Sequence, residues 1–550
     1  MTSIGLRPGL VLAILLLGAV PAPGQAQTAT PAPAPTAVVQ ANPAAEALAR
    51  HLSLGTGTTS ERAAELLVVL AQFYQERQMA PLWLGADGPN DRARALAAVL
   101  RDAGQDGLDP EDYDARVITG LLAAGGPDQR AELELRLSVS LLEITSDLGA
   151  GRLEPHQVNP ELFIHPPEID PAKVIRDAAG VQDIAAFVAG FEPAQPEYRR
   201  LKAALADYRA LAAAGGWPSV ADGPTLKPDM AGPRVAQLRA RLDVPAAAGA
   251  DPAQFDPALV EAVKAFQARH GLEQDGLIGQ NTLAELNVPA QERVRQILLN
   301  LERRRWMADN PGERYVFVNL ADFELKVVDG PRTVFDTRVV VGAPYHRTPV
   351  FSGEMTYLEL NPYWNVPPSI ARNELLPKIK ADPGYLAANN FELLSDWSES
   401  ATVLDPHTID WSAVTPERFT YKLRQGPGPG NALGFVKFMF PNQFNIYLHD
   451  TPARGLFARD VRDFSHGCIR VQDPETFGSF VLDRQPGWSL DAINAAIATG
   501  KRQIVSLEQP LPVHIAYLTA WVNKDGSVNF RRDVYGRDAI LAAALLGPQA

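Results

Sequence analysis

The sequence predicts a multidomain α+β chain, with helices first and strands last. Three observations carry this. Between about residues 45 and 221, apolar residues recur at three- and four-residue steps, the period of a helix face. Between about 230 and 288, three short amphipathic segments are separated by turn signals. From Tyr315 onward, apolar residues run together or alternate, as strands require. The 550 residues suggest three or four domains at about 150 residues each.

Composition bounds the function. The net charge is −13, from 51 Lys plus Arg against 64 Asp plus Glu, which excludes generic binding along a nucleic-acid backbone. Apolar residues at 46% and charged residues at 21% suit a buried core. The single cysteine, Cys468, excludes an intramolecular disulfide and any multi-thiolate metal site within one chain.

The N-terminus reads as an export signal over residues 1–26. Arg7 precedes the apolar run Leu10 to Val20, and Gly24-Gln25-Ala26 offers a small-x-small cleavage site. The run is shorter than the roughly 20 residues that span a bilayer, so no stable membrane span is expected after cleavage. Residues 27–44, rich in Ala and Pro, read as a flexible linker. Exported proteins meet oxidising surroundings, where a lone thiol calls for a reason, and reactivity is the leading one.

A helical region follows over 45–225. Leu66, Leu67, Leu70, Phe73 and Tyr74 define one face, and Leu133, Leu135, Leu137, Leu141 and Leu142 another. No catalytic residue types cluster there, and a scaffold is the expected role. In 226–290, Val235, Leu238 and Leu242 line a first helix. Asp256-Pro257 opens a second, carrying Val260, Val263 and Phe266 and closed by His270-Gly271. After the turn Asp275–Gly279, a third carries Thr282, Leu283 and Leu286. Residues 291–311 form a basic, helical connector whose arginines (Arg293, Arg295, Arg303, Arg304, Arg305) are expected on a solvated face, or facing an anionic polymer.

Residues 312–540 read as a mostly-β domain, with 541–550 as a tail. Tyr315–Leu320 and Phe323–Val328 form a hairpin across the two-residue break Ala321-Asp322, and Val339–Val341 mark another strand ended by Gly342. Strand signals stop after Pro362 and resume near Phe435. The stretch between, about 366–430, has Ser369 as an expected N-cap with helix formers through Lys380, and reads as a capping insert. Val513–Val522 and Val528–Phe530, around Asp525-Gly526, form a hairpin expected to close the same β domain.

The chemistry lies in 444–472. Phe444, Ile446 and Leu448 alternate with Asn445, Tyr447 and His449, so a strand would bury the first set and present the second. Nineteen residues on, Cys468 stands in Ser465-His466-Gly467-Cys468-Ile469-Arg470; there Ile469 and Val471 point inward, and Cys468 and Arg470 outward. A thiol is mostly protonated at neutral pH, and an imidazole in reach takes its proton or stabilises the ion pair. Gly467 lets backbone approach an acyl oxygen, and amides around Gly467 and Cys468 suit an oxyanion hole.

The spacing His449, then Ser465-His466-Gly467-Cys468-Ile469-Arg470, resembles the L,D-transpeptidase family with its YkuD-type catalytic domain. The segments Tyr363–Ile370 and Ile446–Pro452 resemble its large Gram-negative periplasmic subfamily. Residues 230–288 resemble a peptidoglycan-binding domain. The resemblance implies a helical scaffold domain, a three-helix peptidoglycan-binding domain and a catalytic domain with a capping subdomain. It implies that Cys468 attacks the third-residue carbonyl of a donor tetrapeptide stem, releases D-alanine, and passes the acyl group to an acceptor amine as a 3→3 cross-link. His449 would be base and then acid, the Gly467 and Cys468 amides would hold the oxyanion, and His466 would shape that loop. Arg470, Tyr447, Trp364 and Ser465 would surround the substrate. A backbone carbonyl, Asp450 or Ser465 would orient His449.

No metal or cofactor is implied, carbapenems would acylate the thiol, and the expected location is the periplasm. Expected partners are stem peptides and glycan, with other wall-synthesis enzymes or a lipoprotein acceptor also open. A thiol hydrolase of stem peptides and a non-catalytic wall-binding scaffold are the alternatives. Residues 431–472 carry five basic and three acidic residues, locally positive in an acidic chain and suited to carboxylate-bearing stems. His346, His407 and His514 are read as surface or structural histidines.

Overall fold

The computed structural model describes residues 43–54, 61–123, 125–307 and 311–547. The expected export signal lies outside the described residues, as does almost all of the linker. No described helix is long and apolar enough to cross a membrane.

Eight strands form the closed part of the ten-stranded main sheet, which Leu162–Phe163 and Asp463–Ser465 join in parallel at its side: β1 (Arg314–Asn319), β2 (Glu324–Asp329), β3 (Arg332–Gly342), β4 (Val350–Leu360), β5 (Val436–Met439), β6 (Leu448–His449), β7 (Ile469–Val471) and β8 (Gln503–Ala516). Hydrogen-bonded neighbours run β5-β6-β7-β3-β2-β1-β8-β4, and β4 pairs again with β5, so the sheet closes on itself. Among these eight, β6 with β7 and β8 with β1 are parallel and the other pairs antiparallel. Alternation sends Val316, Val318, Leu325, Val327, Leu448, Ile469 and Val471 into one core, shared with Phe477 and Ile493 from helices Pro474–Val481 and Leu490–Ala498.

The first hairpin is present, but its loop is four residues, Leu320–Phe323, because Phe323 takes a left-handed φ of 55° and buries its ring. The insert also departs from expectation. Trp364–Asn365, Phe391–Leu394, Val403–Leu404 and Lys422–Gln425 form a four-stranded sheet. Val366, Leu375, Ile379, Leu393, Trp411 and Leu423 give it a core of its own. Strands this short show too few alternations to read by period. Ser369 is not an N-cap: the helical stretch starts at Pro368, without a side-chain cap, and passes through a π-turn at Ala371–Leu375.

The three-helix region holds Pro233–Arg241, Pro257–Arg269 and Gln280–Leu286. Asp256 caps the second by accepting the Leu259 N–H at 2.9 Å, and Gly271 leaves it at φ 64°. Farther upstream, the Glu134 carboxylate accepts from the Tyr74 hydroxyl at 2.7 Å and the Trp83 N–H at 3.0 Å inside the helical core. Burial pushes this acid up to about 7, and its partners make it a buried polar lock.

The helix Ala290–Arg305 overturns the expected solvated connector. Arg293, Arg303, Arg304 and Arg305 are buried. Three are paired: Arg293 with Glu285 at 2.6 Å, Arg303 with Asp538 at 2.5 Å, and Arg305 with Glu302 at 3.1 Å. Glu302 also accepts the Arg152 and Leu153 N–H groups at 2.6 and 3.1 Å. A buried charge survives only when paired, and these partners are distant in sequence or on the next turn. The C-terminal hairpin is a second correction. Ala520–Val522 pairs with Val528–Phe530 apart from the closed sheet, and packs Ala520, Val522 and Phe530 against Leu201, Leu205, Ile297 and Leu301. Only its upstream segment, within β8, joins the β domain.

Candidate active site

Strands β6 and β7 lie parallel, with Leu448 opposite Ile469 and His449 opposite Arg470. Leu448 and Ile469 are fully buried in the core, so His449 and Arg470 share the other face. Lys437 of β5 is opposite His449 and joins them on that face. The expected strand over 444–447 is instead a turn. The Asn442 side chain accepts the Phe444 and Ile446 N–H groups at 3.0 and 3.2 Å and donates to the Ile446 carbonyl at 2.7 Å, and Asn445 takes φ 55°. An asparagine bonding its own downstream backbone competes with a sheet ladder.

The loop before β7 carries the thiol. The Ser465 hydroxyl donates to the Cys468 carbonyl at 2.5 Å and accepts the Gly467 N–H at 3.1 Å. The Gly467 carbonyl accepts from Thr348 at 2.8 Å. Gly467 sits at φ 109°, a conformation that disfavours any side chain, and a Cβ there would lie 3.3 Å from Ile446. The Gly467 amide, expected at an oxyanion, donates in this geometry to Ser465.

His449 is 5% exposed. Its Nδ1 lies 2.5 Å from the Asp450 carbonyl. A carbonyl only accepts, so the ring proton sits on Nδ1 and Nε2 keeps its lone pair for a proton from outside. The backbone carbonyl is thus the partner that orients the ring. The Asp450 carboxylate is occupied elsewhere, accepting the Phe435 and Thr451 N–H groups at 2.8 and 2.5 Å and pairing with Arg454 at 2.7 Å. Burial, then the Arg470 charge, pushes His449 down to about 3.

Cys468 is half-buried, and its thiol donates to the Asn445 carbonyl at 3.7 Å. Burial pushes the thiol up, against the pull of the Tyr447 main chain and hydroxyl, Lys437 and Arg470 toward the thiolate. At neutral pH the site therefore rests as thiol and neutral imidazole. Among the described residues no hydrogen bond joins Cys468 to His449; such bonds commonly tighten only with substrate present.

Tyr447 and His449 have ring centroids 5.6 Å apart, and the Lys437 ammonium stands 4.2 Å from the Tyr447 ring centroid. Burial lowers Lys437 and Arg470 from their ordinary values, and the buried Arg470 Nε has no hydrogen-bond partner. His466 Nε2 lies 2.5 Å from Glu374 of the insert, and its ring centroid is 4.8 Å from that of His346. His346, set aside in the sequence, thus packs beside the cysteine loop. Trp364 packs on the insert core, 6.1 Å from Phe391 between centroids. Lys437 and Glu374 were missed; only the local excess of basic residues pointed to Lys437.

Comparison with known proteins follows this geometry. Residues 313–488 match the family described as the L,D-transpeptidase catalytic domain (YkuD). Residues 232–286 match a family described as "Putative peptidoglycan binding domain", and residues 68–205 a scaffold domain. A Haemophilus influenzae protein described as "Putative L,D-transpeptidase" is 35% identical over 245 residues, which is 44% of this chain and 48% of that protein. The chain thus spans about half the length of this curated relative. A solved L,D-transpeptidase structure from Xylanimonas cellulosilytica aligns with 54% of this chain and 99% of that one, at 15% identity and a TM-score of 0.17. A fused Zn-dependent amidase/peptidase/peptidoglycan-binding protein from Clostridium acetobutylicum aligns with 54% and 100%, at 12% identity and 0.13.

Proposed function

We propose, from the match of residues 313–488 to the L,D-transpeptidase catalytic domain, that the chain is an exported enzyme that cross-links peptidoglycan stem peptides through Cys468. The observation that carries the reading is the shared sheet face. The chain's one thiol heads β7, beside a histidine whose Nδ1 proton is held by a backbone carbonyl and whose Nε2 is therefore basic.

In the proposed reaction, Cys468 Sγ attacks the third-residue carbonyl of a tetrapeptide stem as His449 Nε2 takes the thiol proton. The oxyanion is held by the Cys468 amide, because the Gly467 N–H is engaged by Ser465. Collapse breaks the bond to the terminal D-alanine, whose amine leaves with the proton from His449. A thioester remains. An acceptor amine attacks it, His449 takes that proton, and the sulfur leaves and recovers the proton as a thiol. Arg470, with a buried Nε lacking a partner, takes a stem carboxylate. Contact between His466 and Glu374 joins the cysteine loop to the insert, which covers the bound donor.

The test incubates the full chain with disaccharide tetrapeptide and weighs the products. A dimer lacking one D-alanine supports transfer. Tripeptide alone replaces the proposal with hydrolysis, and no product refutes both. Cys468→Ala should abolish product with the thermal midpoint nearly unchanged.

A further inference from the structure

A second site lies far from the cysteine in sequence, where the three-helix region meets the C-terminal hairpin. Trp217, Phe266 and Phe530 wall a cavity of about 310 Å3, which Arg241, Arg269 and Arg293 also line. Arg293 is neutralised by Glu285 at 2.6 Å. Among the described residues Arg241 has no carboxylate partner. Its guanidinium lies 4.0 Å from the Trp217 ring centroid, and its Nε donates to the Leu286 carbonyl at 2.6 Å. These contacts fix its plane and leave its outer nitrogens for a ligand. Two further arginines face it: burial and then Arg293 push it down to about 10. Arg269 stands exposed at the rim. Asp525 of the hairpin turn is within its field, but that carboxylate is bound by the Ser527 N–H and hydroxyl at 2.9 and 2.6 Å. Asp243 also lines the cavity and is exposed.

With Arg293 paired to Glu285, the two remaining cations, Arg241 and Arg269, held close in a chain of net −13 are a cost unless an anion joins them. A guanidinium with its stem tethered and its face stacked has lost its rotamer freedom beforehand, and presents a fork matched to a planar oxyanion. We propose that this cavity binds a small anionic ligand through a carboxylate or phosphate group on Arg241 and Arg269, bridging the three-helix region and the hairpin. The room is that of an amino acid or a sugar acid.

The experiment uses the full chain at constant ionic strength, with inorganic phosphate and N-acetyl-D-alanine titrated separately and the thermal midpoint and calorimetric heat recorded. A saturable response to at least one, with Kd below about 20 mM, is expected; the two probes tell a phosphate from a carboxylate source. Arg241→Gln and Arg269→Gln should each weaken binding at least tenfold. Arg269, exposed at the rim, can be replaced without disturbing the core should Arg241→Gln fail to fold. No saturable response to either probe, or equal affinity in parent and Arg269→Gln, overturns the proposal.

Discussion

Cys468 rests as a thiol, so its reactivity should climb with pH rather than sit on a plateau. Burial places the group above its ordinary value, which leaves it a thiol at neutral pH. An imidazolium partner would draw the thiolate out, but His449 is pushed down to about 3 and carries no charge there. The forces that do favour the thiolate come from Tyr447, Lys437 and Arg470. A hydrogen bond to a charged group contributes about 1.5–3 kcal/mol, or roughly one to two pH units of titration. Tyr447→Phe deletes the hydroxyl and keeps the ring beneath Lys437, so it should shift the thiol upward by that amount. The assay is iodoacetamide alkylation from about pH 5 to 10, followed by mass. It reads one site because Cys468 is the only cysteine. The parent rate should rise about tenfold per pH unit with no plateau below about pH 9. A plateau between about pH 5 and 8 would refute the neutral pair, and an unmoved profile in Tyr447→Phe would refute the role of the phenol.

Three further outcomes are expected. Because folding holds His449 near 3, the unfolded chain takes up a proton below its ordinary 6.5 that the folded chain refuses. That contribution is whole above pH 6.5 and is lost toward pH 3 at about 1.4 kcal/mol per pH unit; equal acid losses of denaturant stability in parent and His449→Gln would contradict it. Ser465→Ala removes the acceptor of the Gly467 N–H and the donor to the Cys468 carbonyl. It should cost about 1–3 kcal/mol in thermal or urea unfolding and lower turnover at least tenfold; parent turnover would count against the loop's geometry. Arg305→Met strips Glu302 and Tyr198 of a buried cation at 3.1 and 3.0 Å. A loss of about 3–5 kcal/mol is expected, and a change below about 1 kcal/mol would show the pair to be dispensable.

Much of the fold was legible where local rules act alone. Asp256 caps its helix, Gly271 ends it, and the apolar residues of Arg314–Asp329 alternate on a hairpin. Legibility failed where a partner lies far along the chain. The arginines of Ala290–Arg305 read as solvated because Asp538 and Glu285 cannot be paired with them by spacing. The insert's strands, two to four residues long, carry too little period to detect. Phe444–Tyr447 has the alternation of a strand, yet the Asn442 side chain turns it. At the site, His449 and Cys468 stood out by residue type and context. Lys437 did not, because only the pairing of β5 with β6 brings it opposite His449.

The sequence by itself determined which side chains the proposed chemistry can use: one thiol, a histidine nineteen residues before it, and a glycine between them at a position that disfavours any side chain. Tertiary structure decided their state. Closure of the sheet buries His449, ties its Nδ1 to the Asp450 carbonyl and raises the Cys468 thiol. Protonation depends on desolvation and on charges brought near by folding, and neither is a property of the residues in order along the chain.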